Sequence, residues 1–209
     1  MKTLIAIVII IVLSIFMMCK KKDYVHPVVI PDLLSQEECL MIMKKAKSKL
    51  KNSTLMGPNK NNQQVRKSET AWLSKRNDPE INKIVRRICQ KFNRNFDNCD
   101  DLQVVKYEPN GFYKPHQDAC CDQGCRSTGQ GKNQRQLTIL MALNEDYDEG
   151  HTVFPNLKKK FRLQTGSGLK FHTLDKKGRC TPLAVHGGSP VKNGEKWICT
   201  VWIHERFMK

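Results

Sequence analysis

His116 and Asp118 stand two residues apart in Tyr113-Lys-Pro-His-Gln-Asp118, and His186 is followed ten residues later by Lys196. Two imidazoles and one carboxylate are the donor set of the facial triad that holds non-haem Fe(II) and leaves coordination positions open. On a strand, residues i and i+2 point to one face, so His116 and Asp118 can reach a single ion. A His-x-Asp triplet alone is common by chance, and so is a histidine with a basic residue downstream. Their combination is the signal, and the spaced lysine bears on what fills the open positions.

The elements that must carry these residues change character along the chain. Ser35-Gln-Glu-Glu38 is a capping box, and Cys39, Met43, Ala46 and Leu50 recur at helical spacing, which predicts a helix from Ser35 to about Lys51. Asp78-Pro79 is a cap followed by proline at the first helical position. Ile81, Ile84, Val85, Ile88 and Phe92 then line one face of a second helix, expected to run to about Phe96. Beyond residue 100 the period falls to two. Leu102 to Tyr107, Gln136 to Leu143, His151 to Phe154, Leu169 to His172, Leu183 to His186 and Lys196 to His204 read as short strands separated by Gly, Pro or Asn. Helices followed by a run of strands indicate an α+β order with the strands closing as a sandwich or jelly roll. All four chemical residues fall in the β half.

With 209 residues the chain has room for one substantial core. It carries 36 Lys+Arg against 20 Asp+Glu, a formal net charge of +16. That balance attracts anionic partners but says nothing about fold. The basic residues are not interleaved with aromatics as in a single-strand binding groove, so nucleic acid is not the expected partner. Nothing in the sequence sets an oligomeric state.

Residues 1–22 differ in kind: LIAIVIIIVLSIFMM, flanked by Lys2 and by Lys20-Lys21-Lys22, is apolar apart from Ser14. No small-x-small pair follows for a signal peptidase, so an uncleaved single-pass membrane anchor is expected over a removed signal. The domain then runs from 23 to 209. The three lysines after the span point to the cytoplasmic side by the positive-inside rule. The nine cysteines bear on the same question. Cys39 and Cys89 fall on apolar helix faces as small hydrophobes. Cys120, Cys121 and Cys125 crowd a polar loop after the first motif, where a disulfide-pinned loop, free thiols and a zinc site are all open. A disulfide there would favour an oxidising compartment, so the membrane side stays undecided.

The segments YEPNGFYKPHQD, RQLTILMALN, EGHTVFPN, GSGLKFHTLD and VHGGSPVKNGEKWICTVWIH, with RKSETAWL and IPDLLSQEEC before them, resemble the prolyl 4-hydroxylase branch of the Fe(II)/2-oxoglutarate-dependent oxygenases. The resemblance covers nearly everything after the apolar segment. It implies a double-stranded β-helix (jelly-roll) core with N-terminal helices packed on one side. It implies His116, Asp118 and His186 as Fe(2+) ligands and Lys196 as the partner of the distal carboxylate of 2-oxoglutarate. Tyr107 and Thr152 match hydroxyl-bearing positions of the same pocket, and Tyr113, Arg135 and Trp202 match positions facing a peptide groove. The implied reaction is hydroxylation of peptidyl proline at C4, with O2 and 2-oxoglutarate consumed, succinate and CO2 released, and L-ascorbate as reductant.

Two departures from that pattern fall at the cosubstrate pocket, where His151 either meets the pocket or, as expected, points outward from its turn, and beside the groove. Gly150-His151 stands where two glycines are usual, and the cysteine-bearing segment from Ala119 to Asn133 replaces an aromatic, acidic stretch. Three readings follow: a membrane-anchored peptidyl-proline 4-hydroxylase, a 2-oxoglutarate oxygenase with another side chain or nucleic acid as acceptor, and a non-catalytic peptide-binding module of the same fold. The intact set His116, Asp118, His186 and Lys196 argues against the last, since binding alone needs none of them.

Overall fold

The structure is a computed structural model that describes residues 23–55, 62–122, 125 and 133–205. The expected anchor lies in residues 1–22, outside the described residues. Among the described residues, no helix is long and apolar enough to cross a membrane.

The chain runs β1 (Val28–Ile30), α1 (Gln36–Lys47), β2 (Lys51–Asn52), β3 (Arg66–Lys67), β4 (Glu69–Leu73), α2 (Pro79–Lys91), β5 (Leu102–Tyr107), β6 (Phe112–His116) and β7 (Arg135–Ala142). It continues through β8 (Tyr147–Glu149), β9 (Thr152–Phe154), β10 (Lys159–Phe161), β11 (Gly168–His172), β12 (His186–Gly188), β13 (Val191–Gly194) and β14 (Lys196–His204). A seven-stranded sheet has the order β1-β11-β7-β14-β5-β4-β2, a five-stranded sheet the order β10-β9-β12-β6-β3, and β8 with β13 makes a small ribbon. Strand β14 is central: Lys196 pairs with Tyr107 of β5, and Trp202 pairs with Thr138 of β7.

Period-two alternation assigns the two faces of the large sheet. Trp197, Cys199, Val201 and Ile203 of β14, with Leu102 and Val104 of β5, meet the apolar faces of both helices, including Ile42, Ala46, Ile81, Ile84 and Ile88. The alternate residues Ile198, Val105, Tyr107, Leu140 and Ala142 point between the sheets, where Phe154, Leu169 and Phe171 complete a second core. Each fully buried Ile, Leu or Phe contributes about 1.5–3 kcal/mol relative to exposure. Because the central strands are covered on both faces, their sequences run almost continuously apolar.

Both helices start where their caps predict and stop early. Glu38 N–H donates to Ser35 Oγ (3.2 Å) and Ser35 N–H to Glu38 Oε2 (3.0 Å). Helix α1 ends at Lys47, not Lys51, because Lys49 N–H turns back to Ala46 O and Lys51-Asn52 leave to pair with Thr70 and Glu69. Helix α2 ends at Lys91, short of Phe96. Asn93 adopts a left-handed φ of 52°, and Arg94 N–H reaches Cys89 O (2.8 Å), a Schellman-type stop with Asn in glycine's usual place. The strand expected over Leu183 to His186 begins only at His186. Pro182–Ala184 is a 3-10 turn, since Pro182 has no N–H for a ladder and Thr181 Oγ1 accepts Leu183 N–H (3.3 Å).

Candidate active site

His116 ends β6 and His186 opens β12, and the antiparallel register sets them directly opposite each other, with ring centroids 4.5 Å apart. Asp118 is not on the strand, contrary to the expectation of a shared strand face. It lies two residues past the end of β6, where the chain bends back over the histidines. Its carboxylate still reaches both: Oδ1 is 3.6 Å from His116 Nε2 and Oδ2 is 3.6 Å from His186 Nε2. One ligand atom from each residue lies within 4.8 Å of the other two.

The surroundings set the protonation states. His116 Nδ1 lies 3.0 Å from Lys114 O, and His186 Nδ1 lies 3.1 Å from Ala184 O. A carbonyl only accepts, so each Nδ1 carries the proton and each Nε2 lone pair is free for a metal. Burial pushes the His186 pKa down to about 4, which keeps the imidazole neutral at physiological pH. Burial alone would raise the Asp118 carboxyl, but the neighbouring imidazoles and the Arg135 charge outweigh it and hold the group well below the usual carboxylate range. A neutral His186 imidazole, a His116 Nε2 left free by the Nδ1 contact, and an anionic carboxylate are the forms that bind a divalent ion. The donor set therefore fits Fe(II), with Thr138 Oγ1 donating to Asp118 Oδ2 at 2.6 Å to orient it.

Packing fixes the histidines in place. Phe154 stacks on His186 at 5.4 Å, and Phe171 lies 4.5 Å from the same ring. A Cβ on Gly187 would sit 2.7 Å from Tyr113 O, so only glycine lets β12 approach β6 this closely. Tyr113, expected in the groove, stacks on His116 at 3.7 Å with the Arg66 guanidinium 4.6 Å over its other side. It both lines the cavity and braces the His116 ring.

Lys196 is 4% exposed, and its ammonium donates to Gly150 O at 2.6 Å. Burial lowers its pKa to about 8, and no carboxylate forms a salt bridge with it among the described residues. A buried cation satisfied by one carbonyl calls for an anionic ligand. Gly150 has a positive φ of 59°, and a Cβ there would meet Lys196 Cδ at 3.3 Å. Tyr107 and Thr152 are buried beside it, with the Lys196 ammonium 5.4 Å from the Tyr107 ring centroid. His151 does not line this cavity; its Nδ1 turns toward Glu149 Oε2 at 3.4 Å.

His116, Asp118, His186, Lys196, Tyr107, Thr152, Tyr113, Arg135 and Trp202 all line one open groove of about 1670 Å³. Several residues that sequence reading did not single out complete it. Asp100 accepts two bonds from Arg135 (3.0 and 2.9 Å) and lies 3.0 Å from His204 Nε2, so one carboxylate holds both walls. Arg135 stacks on Trp202 at 3.9 Å, and Trp72, 46% exposed, continues the aromatic surface 5.9 Å from Trp202. His204 has the same strand parity as Lys196 and Trp202, a signal available in the sequence. Asp100 carried none, since it precedes its strand in a run of polar residues.

The cysteine loop is closed by two disulfides, Cys120–Cys125 and Cys121–Cys180. Of the three states open to it, this is the pinned one, with the added partner Cys180. Cys39 and Cys89 are buried, as their helix faces imply.

A partly buried His-Asp-His cluster of Fe(II) type between two antiparallel sheets, with the buried Lys196 in the same cavity, defines a 2-oxoglutarate-dependent iron oxygenase. The profile of the 2OG-Fe(II) oxygenase superfamily matches residues 102–204. The chain is 43% identical over 187 residues to a "Putative prolyl 4-hydroxylase" of Acanthamoeba polyphaga mimivirus, covering 88% of this chain and 76% of that one. It is 31% identical to "Prolyl 4-hydroxylase 1" of Arabidopsis thaliana, covering 86% and 69%. Among solved structures, the viral collagen prolyl hydroxylase vCPH of Paramecium bursaria Chlorella virus-1, in its 2OG complex, superposes with a TM-score of 0.68 at 27% identity, covering 86% of this chain and 96% of the other. The chain belongs to the prolyl 4-hydroxylase-like 2OG-Fe(II) oxygenases.

Proposed function

We propose that this protein hydroxylates peptidyl proline at C4, consuming O2 and 2-oxoglutarate and releasing succinate and CO2. The observation that carries the reading is the convergence of His116, Asp118 and His186 with the buried Lys196, which has no carboxylate partner among the described residues, in one groove open to a peptide. Relatives named prolyl 4-hydroxylase support it.

His116, Asp118 and His186 are assigned to hold Fe(II), which with 2-oxoglutarate bound supplies oxidation of an unactivated C–H bond. Lys196 pairs with the distal carboxylate, a monodentate contact suited to a compact ammonium, while Tyr107 and Thr152 flank it with hydroxyls. Arg135, Trp202 and Trp72 form the peptide wall. Among the described residues the Trp202 Nε1–H is buried without an acceptor. Proline-rich chains favour the polyproline II conformation, which docks on aromatic-lined grooves. L-ascorbate would be the reductant for a site of this kind.

The apolar segment in residues 1–22 is read as a single-pass membrane anchor. The two disulfides support an oxidising compartment for the domain, against the side indicated by Lys20-Lys21-Lys22.

Given Fe(II), 2-oxoglutarate and a proline-rich peptide, the purified protein should add one oxygen atom to proline, located by tandem mass spectrometry. Decarboxylation of 2-oxoglutarate with no oxygen gained on any proline of a varied peptide set would overturn the assignment of the acceptor.

A further inference from the structure

Two more cysteines meet where α2 gives way to the turn leading into β5. Cys89 Sγ and Cys99 Sγ lie 2.9 Å apart, closer than two non-bonded sulfurs ordinarily approach. A bonded pair sits at about 2.05 Å, so a small shift completes the bond. Both side chains are buried, at 1% and 2% exposure. The short connection between them is held at several points. Phe96–Asn98 is a 3-10 turn capped by Asn95, and the Lys75 ammonium donates to both Phe96 O and Cys99 O. We propose that Cys89 and Cys99 close a third disulfide, pinning the end of α2 to the residue that precedes Asp100.

The chemistry is thiol–disulfide exchange during folding, before the pair is buried, with a disulfide of the oxidoreductase or glutathione class as oxidant. The donor disulfide is attacked by the Cys99 thiolate, which releases one donor thiolate and leaves a mixed disulfide on Cys99. The Cys89 thiolate then attacks Cys99 Sγ, forming the internal bond and expelling the second donor thiolate. Two protons and two electrons pass from the cysteines to the donor.

The bond matters to the groove through the backbone. Cys99 bridges to Ile203 of β14, and Asp100 N–H donates to Trp202 O at 3.0 Å. Asp100 in turn grips Arg135 and His204. A fixed Cys99 thus fixes the base from which both groove residues are positioned.

The test uses the full chain folded in a glutathione redox buffer, with free thiols alkylated under denaturing conditions and the unreduced protein digested with trypsin. Cleavage after Lys91 and Arg94 places the two cysteines on separate peptides. The expected product is that pair linked and lighter than the sum by two hydrogens, alongside the linked peptides of Cys121 and Cys180. Alkylated Cys89 and Cys99 in a digest where Cys121 remains joined to Cys180 would overturn the proposal. A second measurement compares Cys89→Ala, Cys99→Ala and the double variant. Either single change breaks the same bond, so all three should lower the unfolding midpoint by a similar amount, about 4–12 °C. Two smaller effects that add in the double variant would indicate packed thiols and sink the idea.

Discussion

Thr138 Oγ1 donates a 2.6 Å hydrogen bond to Asp118 Oδ2, joining the large sheet to a carboxylate that hangs beyond the end of a strand in the small one. Asp118 has left its strand, so nothing in the β ladder sets its orientation, and this hydroxyl supplies the constraint. Thr138→Val keeps the shape and removes the donor. Loss of such a supporting partner weakens metal binding by about 10–100-fold. Titration of 2-oxoglutarate turnover against Fe(II) should show that rise in the half-saturating concentration with the midpoint of unfolding little changed. An unaltered iron requirement would show that Asp118 is held by something else.

Burial brings the Lys196 pKa down to about 8 from its ordinary 10.5. Only the charged form pairs with a carboxylate, and a bound dianion would push the pKa back up. The sign follows. Affinity for 2-oxoglutarate is fully present below the free enzyme's pKa and is lost as pH rises through about 8. The KM for 2-oxoglutarate should be flat from pH 6.5 to 7.5 and then climb toward tenfold per pH unit, with the peptide KM steady. In Lys196→Arg, whose guanidinium stays charged, the climb should vanish even if binding is weaker throughout. A wild-type profile flat to pH 9.5 would place the titrating cation elsewhere.

The clustering of His116, Asp118 and His186 was legible because their chemistry is written in residue type and spacing, and the central strands were legible because both faces are apolar. Where the reading missed, it missed for local reasons. Asp118 was placed on a strand because parity requires only i and i+2, and parity cannot reveal that β6 stops at His116. Helix α2 was drawn too long because Asn93 rather than a glycine makes the left-handed stop. Strand β4 carries Trp72 to the groove, yet ETAWL offers too short a pattern to stand out. Asp100 and Thr138 become functional neighbours only through pairings that span many residues, as does Cys180, whose partner lies 59 positions away.

That long link has a measurable consequence. Cys121–Cys180 ties the segment after Asp118 to the turn before β12, and Gln117 Nε2 donates to Thr181 O at 2.7 Å beside it. Closing a loop of this length stabilises the fold by about 2–4 kcal/mol. Cys121→Ser with Cys180→Ser should lower the denaturant midpoint accordingly, with the slope of the transition somewhat steeper because the uncrosslinked unfolded chain exposes more surface. The same variant should raise the peptide KM more than the KM for 2-oxoglutarate, because the freed segment borders the peptide groove. Equal effects on both would place the damage at the iron.

Asp100 is the sharpest test of how the groove is built. Its carboxylate is flanked by Arg135 and His204, and although burial opposes ionisation, His204 and Arg135 hold its pKa below the usual carboxylate range. Asp100→Asn keeps the shape but removes the charge that opposes the Arg135 guanidinium, leaving two partly buried donors facing an amide. Truncating one partner of such a pair costs about 2–5 kcal/mol. Part of that cost should appear as weakened peptide binding, since Arg135 is then free to leave the Trp202 face. Arg135 acts on the triad only as the weakest of the charges that lower Asp118, so peptide-independent decarboxylation of 2-oxoglutarate should fall far less than coupled proline hydroxylation, which drops at least tenfold. If decarboxylation collapsed in parallel with hydroxylation, Asp100 would be supporting the iron site and the division of the groove into cosubstrate and peptide halves would be wrong.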